Sequence, residues 1–343
     1  MAKASKPPTI QDVARQAGVS AATVSRVLSS PGRVSQSTRE RVSKAVSEIG
    51  YTINEAARSL RLRRATTILA AMPGIGNPFY STILDAIVTV ATSRGYGVLV
   101  AGHLGDNPAK WLADYYHSNR ADGLLLFDGA LDTRKLHAFT GENASMPIVA
   151  SYDELPDPQI NSIITDNLQA AERAVQHLYD LGHRRIGHIS GPSRNTFPHE
   201  RLVGFRKAMF ERQLPIRDEW VYAGDYTIAG GRVAASHFAT LAERPTALFA
   251  ANDEMAIGVI AGLHRAGIEC PRDISVIGFD DSTVAASFVP ALTTMRQPRE
   301  EIGRIAAETL INILEGKRSA EPIRVVLEST LVVRESTGPV ASG

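Results

Sequence analysis

The stretch TIQDVARQAGVSAATVSRVLS, Thr9 to Ser29, contains two short helical patterns split by one glycine. Thr9 is placed to cap IQDVARQA, in which Ile10, Val13, Ala14 and Ala17 fall on one face at helical spacing. Gly18 supplies a turn. Ser20 then caps AATVSRVLS, whose inward positions are Val24, Val27 and Leu28. SPGR breaks the chain, and from Ser35 a longer helical run, QSTRERVSKAVSEIG, extends to Gly50. Two short helices joined by a tight turn and buttressed by a third make a helix-turn-helix. The apolar residues are few and small, and the far side of the second helix is hydroxyls and arginine. A face of that kind needs a partner other than its own core.

In such a unit the second helix enters the DNA major groove N-terminus first. Ala21, Ala22 and Arg26 then point at base edges, arginine as the bidentate reader of guanine and alanine against a thymine methyl. Ser20, Thr23 and Ser25 carry hydroxyls suited to phosphates, which fix register without specifying sequence, and Thr9 is counted with them on the DNA side. A small helical bundle or a protein-docking module would show the same spacing.

Charge favours the nucleic-acid reading. Residues 1–64 hold 12 Lys/Arg against four Asp/Glu, a net +8, while the remainder holds 25 against 32, a net −7. A basic end joined to a mildly acidic body suits an anionic polymer for the first and a different ligand for the second. At 343 residues, 44% of them hydrophobic, the chain is long enough for two or three domains with sizeable cores. No apolar run reaches the roughly 18 residues needed to cross a bilayer, and MAKASKPPTIQDVARQ lacks the apolar region of a secretory signal. The single cysteine, Cys270, has no internal partner for a disulfide, so the expected compartment is the cytoplasm.

The first stretch, continued by VSQSTRERVSKAVSEIGYTINEAARSL, resembles the headpiece of the LacI/GalR family of bacterial transcriptional regulators, and the rest of the chain matches the same family nearly to its end. The resemblance implies a headpiece over 1–52, a hinge helix and linker over 53–65, and an effector-binding and dimerisation domain over 66–343. Asn54 is placed to cap a short helix through Leu60. By the resemblance that helix orders on operator DNA, with Leu60 as a wedge in the minor groove and Arg58 and Arg61 along the groove or its phosphates. One departure is Ile53, where the family usually has proline.

From residue 66 onward, strand-like apolar runs alternate with helical stretches: TTILAAMP, YGVLVAGH, ADGLLLFDG, PIVASYDE, NSIITDN, RRIGHISG, EWVYAGD, TALFAANDE and ISVIGFDD. That alternation argues for parallel, doubly wound α/β sheets. The resemblance implies a periplasmic-binding-protein-like pair of subdomains joined by three crossovers. One spans about 66–165 plus 297–322, and the other 166–296 plus 323–336.

Ligands of open α/β sheets bind beyond the carboxyl ends of the strands. The polar and aromatic residues there are Asn77, Phe79, Tyr80, Tyr152, Asp153, Arg201, Tyr226, Asn252, Asp253, Asp280 and Asp281. Carboxylates and amides that accept from adjacent hydroxyls, an arginine that donates and rings that cover an apolar sugar face make a polyol site. Asp253 and Asp281 serve equally well as helix caps, Asn77 as a turn residue before Pro78, and Arg201 as half of a surface ion pair with Glu200. The resemblance assigns effector contact to Arg201, Asn252 and Asp280, an aromatic over the ligand to Tyr226, and a reach into the cleft to Gln297.

Enzyme chemistry finds little support. GIGNPF has Phe79 where a dinucleotide fingerprint needs its third glycine, and GHISG lacks the spacing of a nucleophile elbow. His183 and His188 have neither cysteine nor carboxylate company and read as residues flanking a buried strand rather than metal ligands. The adjacent pair Asp280–Asp281 sits too close along the chain to straddle a glycosidic bond. A transport-type solute-binding protein would share the body but not residues 9–60. The expected protein is therefore a homodimeric repressor of near-palindromic operators, without cofactor or metal. Its effector is a small carbohydrate, with a purine corepressor as the alternative; VVLESTLVVRESTGPVASG carries no leucine heptads for a larger assembly.

Overall fold

The computed structural model describes residues 8–52, 64–72, 74, 76–102, 104–105, 107–127, 147–151, 160–192, 196–318 and 321–340, less the side chains of residues 29, 31, 196 and 197. The chain divides into two compact units, Met1–Arg64 and Ala65–Gly343. Four of the DNA-side positions, Asn54, Arg58, Leu60 and Arg61, lie outside the described residues, as do Ile53, Tyr152 and Asp153.

Among its described residues the first unit has three helices, α1 (Ile10–Ala17), α2 (Ala21–Ser29) and α3 (Gln36–Ile49), with one 3-10 turn at Pro31–Arg33. Thr9 and Asp12 form a reciprocal capping box at the start of α1. Gly18 follows at φ +63°, a left-handed conformation that costs glycine nothing. Ser20 Oγ accepts from the Thr23 N–H at 3.1 Å and so starts α2. Ser35 begins α3 without capping it; its hydroxyl pairs with Thr38 Oγ1 at 2.9 Å. The core is Val13, Ala14, Ala17, Val24, Val27, Val42 and Ala45, with nothing larger than valine fully inside among the described residues.

The second unit holds two six-stranded sheets. The first runs β11-β5-β4-β3-β1-β2, from β1 (Thr67–Ala71), β2 (Gly97–Ala101), β3 (Gly123–Leu126), β4 (Ile148–Ser151), β5 (Asn161–Thr165) and β11 (Arg324–Leu327), and every pair in it is parallel. The second runs β12-β10-β9-β8-β6-β7, from β6 (Ile186–Ser190), β7 (Val221–Ala223), β8 (Ala247–Ala250), β9 (Ser275–Asp280), β10 (Thr293–Arg296) and β12 (Thr330–Val332). Only β12 is antiparallel to its neighbour.

Successive residues of a strand face opposite sides of its sheet, and β1 uses this to join two cores. Ile68 and Ala70 pack with α4 (Pro78–Ser93) and α10 (Arg299–Leu314), while Leu69 and Ala71 pack with α5 (Pro108–His117). In the second sheet, α6 (Asn167–Asp180) and α7 (Thr196–Glu211) cover one face, and α8 (Ile228–Thr240) and α9 (Asp253–Arg265) the other.

The chain passes between the sheets three times: after β5, after β10 and after β11. The last crossing corrects the expected boundary. Residues 324–327 pair with β5 in the first sheet, so of the expected 323–336 tail it is β12 and the residues after it, such as Ser336 on Val276, that join the second. The two short strands are separated by Glu328 and Ser329 alone, too brief a break for the hydropathy of the tail to register.

Candidate functional site

Within the first unit, Ala22 and Arg26 are exposed on α2, whereas Ala21 packs in part against the valine core. Of the three expected base-edge positions, two are exposed and one is half-buried. Thr23 and Ser25 are half-buried. Ser20 and Thr23 hydroxyls lie 2.9 Å apart at the helix N-terminus, where backbone N–H groups and the helix dipole favour an anion. The Thr9 hydroxyl donates to Asp12 Oδ2 at 2.7 Å, so its first duty is the cap.

In the second unit, polar side chains meet at the carboxyl ends of β5, β6, β8 and β9. Arg201, on α7, has no exposed surface. Its Nε donates to Asn167 Oδ1 at 2.9 Å, its Nη1 to the Ala251 carbonyl at 2.5 Å, and its guanidinium lies 3.6 Å from the Phe279 ring centroid. A surface ion pair with Glu200 is ruled out by that burial; Glu200 instead accepts from Asn167 Nδ2 at 3.1 Å. Asp280 ends β9 at φ +114° and Asp281 follows at +54°, while Tyr226 after β7 stands at +67°. Non-glycine residues held in such conformations cluster where surrounding structure over-determines them, functional sites above all.

Gln297 connects the two sheets. Its Nε2 donates to Asp280 Oδ1 at 2.7 Å, and its Oε1 accepts from Thr165 Oγ1, at the end of β5, at 3.0 Å. All three side chains are buried. Burial pushes the Asp280 carboxyl up to about 7, with Arg201 opposing the rise and Asp253 adding to it. Burial also raises Asp253, to about 6, against the pull of hydrogen bonds from the Thr294 hydroxyl (2.6 Å) and the Ser282 N–H (2.6 Å).

Several expected roles change. Asn252, not Asp253, caps α9: its Oδ1 accepts from Met255 N–H at 2.9 Å and its Nδ2 donates to the Tyr226 carbonyl at 3.1 Å. Its amide is thus engaged in positioning Tyr226. Asp281 caps nothing either. Arg296 Nε and Arg334 Nη2 each reach one of its oxygens at 2.6 Å, and these bonds outweigh burial and hold its carboxyl below the usual range. Phe79 is a core residue rather than a ring over the ligand, only 3% exposed. Asn77 caps α4 by accepting from Phe79 N–H at 2.8 Å, which is the turn reading. Tyr80 is half-buried against the Phe79 core, 5.2 Å from that ring edge-on.

Tyr226 reaches that same core from the second subdomain while also packing on its own. Gly191 makes this possible, since a Cβ there would collide with the Tyr226 phenol. His188 is stacked 5.0 Å from Phe205 with Nδ1 at 2.9 Å from the Phe249 carbonyl, and burial drives its imidazole down to about 3, so it packs as a neutral core side chain. Thr165, Asn167 and Phe279 are the site residues that sequence reasoning missed. Asn167 and Thr165 follow directly from the strand-end rule applied to NSIITDN; Phe279 is hidden as one more apolar strand residue.

Two family descriptions match the chain: bacterial regulatory proteins of the lacI family over residues 9–54, and a periplasmic binding protein-like domain over 175–337. The HTH-type transcriptional repressor CytR of Escherichia coli (strain K12) is 36% identical over 331 residues, 96% of each chain. The HTH-type transcriptional regulator CelR of Thermobifida fusca is 35% identical over 337 residues, covering 96% of this chain and 98% of its own. Among solved structures, the lac repressor dimer bound to operator and the anti-inducer ONPF superimposes with a TM-score of 0.86 at 30% identity, covering 97% of this chain and all of that one. A CelR–cellobiose complex gives 0.73 at 33% identity, covering 96% and 99%. Headpiece, paired sheets and full-length similarity agree: the chain belongs to the lacI family of bacterial regulatory proteins.

Proposed function

We propose that the protein is a homodimeric transcriptional repressor, working in the cytoplasm, whose affinity for a near-palindromic operator is set by a small carbohydrate bound at the strand ends of the body. Arg26 and Ala22 read bases, Ser20, Thr23 and Ser25 contact phosphates, and the segment carrying Asn54, Arg58, Leu60 and Arg61 occupies the minor groove. Arg201, Tyr226, Asp280 and Gln297 hold the effector, with Asn252 and Asn167 fixing them from behind; Tyr80, Tyr152 and Asp153 complete the wall.

The observation that carries this reading is the buried run Thr165–Gln297–Asp280, which ties the ends of two sheets together beside Arg201. A polyol offers hydroxyls to the same acceptors, so binding changes the energy of the connection between subdomains. Whatever the ligand does to DNA affinity, DNA must do to ligand affinity. The cellobiose held by the CelR relative is of the same chemical class.

A thermal-shift screen of the full chain against sugars, sugar phosphates and purines tests the pocket, because a ligand of the folded state alone raises its stability. A sugar that raises the melting temperature and then alters retention of a duplex selected from random DNA supports the reading. A purine that alone does so replaces the carbohydrate with a corepressor.

A further inference from the structure

The second compact unit begins at Ala65, and its first residues are held with unusual thoroughness. Ala65 N–H donates to Asp122 Oδ1 and Thr66 N–H to Asp122 Oδ2, both at 2.7 Å. Hydrogen bonds to an ionised carboxylate are the stronger kind, and here both oxygens of one carboxylate serve consecutive amides. The backbone of Asp122 continues the grip, its N–H donating to the Thr67 carbonyl at 2.8 Å. From the other flank, Gly97 N–H donates to the Thr66 carbonyl at 2.9 Å, and Thr67 Oγ1 closes on the Ala65 carbonyl at 3.1 Å. Inside this socket Thr66 stands at φ +49°, a conformation that a β-branched residue strongly avoids. The leading ends of β1, β2 and β3 therefore fix Ala65 and the strained Thr66 at the point where the chain comes in from the basic, helix-turn-helix unit.

We infer that Asp122 is a positioning residue for operator binding: its carboxylate sets where, and in what direction, the tether of the DNA-binding unit leaves the body. The inference rests on the operator-binding reading above. Slack is not the reason. Freeing two residues lengthens a tether of about a dozen so little that its closure entropy barely changes. Direction is the reason, because residues 65 and 66, once released, have to be ordered again each time the body and the headpiece engage DNA together. In a dimer the effect enters twice, and a loss of about 10-fold in specific affinity is expected.

The test uses the full-length chain with Asp122→Asn, which keeps the shape but turns an NH2 toward one of the two N–H donors. Affinity is read by fluorescence anisotropy on a duplex that the wild-type chain selects from a random pool, and on a scrambled duplex of equal length. Hydrogen exchange is followed at residues 65 and 66. The expected result is about 10-fold weaker binding of the selected duplex, unchanged binding of the scrambled one, and lost protection of the two amides. Undiminished binding of the selected duplex with those amides deprotected overturns the inference, and so does an equal loss on both duplexes. Wild-type amides that exchange without protection overturn it with no variant needed. A wild-type chain that selects no duplex refutes the operator reading itself, whereas one that selects a duplex and ignores Asp122→Asn refutes the anchor alone.

Discussion

The headpiece and the body solve the problem of presenting polar groups in opposite ways. The headpiece core is four valines and three alanines, and its helices depend on caps that act within three or four residues: Thr9 with Asp12, Ser20 with Thr23, Gly18 and Gly50. Its reading face is simply what remains outside. The body buries Trp220, Phe205, Phe249 and Phe279, and sets Arg201, Asp280, Asn252 and Gln297 among them, each held by at least one partner distant in sequence. Local order gives the headpiece a surface; non-local order gives the body a site. A small core also makes the headpiece the less stable unit, so heating should show two transitions, the lower one belonging to residues 1–64.

The largest break in that comparison comes from Arg201→Ala. It leaves Asn167 and the Ala251 carbonyl without their donor inside a closed core, and loss of one member of a buried charged network costs about 3–5 kcal/mol. Calorimetry should show the upper transition falling while the lower one stays in place. Movement of both would mean that the two units do not unfold separately.

Val24→Ala works the other way. Removing two buried carbons from so small a core costs about 2 kcal/mol, and the lower transition alone should fall. Thr9→Ala removes the hydroxyl half of the capping box, leaving the backbone N–H on Asp12, and should destabilise the same unit by about 1 kcal/mol, with helicity at 222 nm as the readout. A Thr9→Ala headpiece as stable as wild type would show that the caps matter less than the valines.

Acidity should divide the units by sign rather than by size. Hydrogen bonds from the Thr9 side chain and backbone hold the Asp12 carboxyl below its ordinary range, so the stability it gives the headpiece is present near neutral pH and lost as pH falls. Asp280 is pushed up to about 7 by burial, so its contribution to the body is largest at low pH and is lost as pH rises from about 4 through about 7. One such group changes stability by at most about 1.4 kcal/mol per pH unit. Between pH 7 and pH 5 Asp280 should widen the gap above the lower transition, while Asp12 destabilises the headpiece only at more acid pH. Asp280→Asn should flatten the body's part of the trend, and an unflattened slope would assign the effect to other groups.

The same contrast explains what was legible in the sequence. Helix starts at Thr9 and Ser20 and stops at Gly18 and Gly50 stand where the residues put them, because every determinant lies within one turn. The nine apolar runs of the body are β1 to β9, since strand alternation is also local. The site was legible only as a set of strand-end residues. Nothing in LTTMRQP says that Gln297 bridges residues 132 positions apart from it and 17 positions behind it, Thr165 and Asp280. Nor does ANDEMAIG distinguish an asparagine that binds a ligand from one that caps a helix and holds Tyr226; both need the same amide. Phe79 was misread because an aromatic residue after a strand suits a sugar face and a core equally well.

The most direct test of the account is operator affinity of the wild-type chain and of Asp280→Asn, each with and without the sugar that gives the largest thermal shift. The account predicts equal affinities without sugar, a clear change in the wild type when sugar is added, and none in Asp280→Asn. A variant that responds to the sugar as the wild type does would contradict it, and would move the ligand away from the Thr165–Gln297–Asp280 connection.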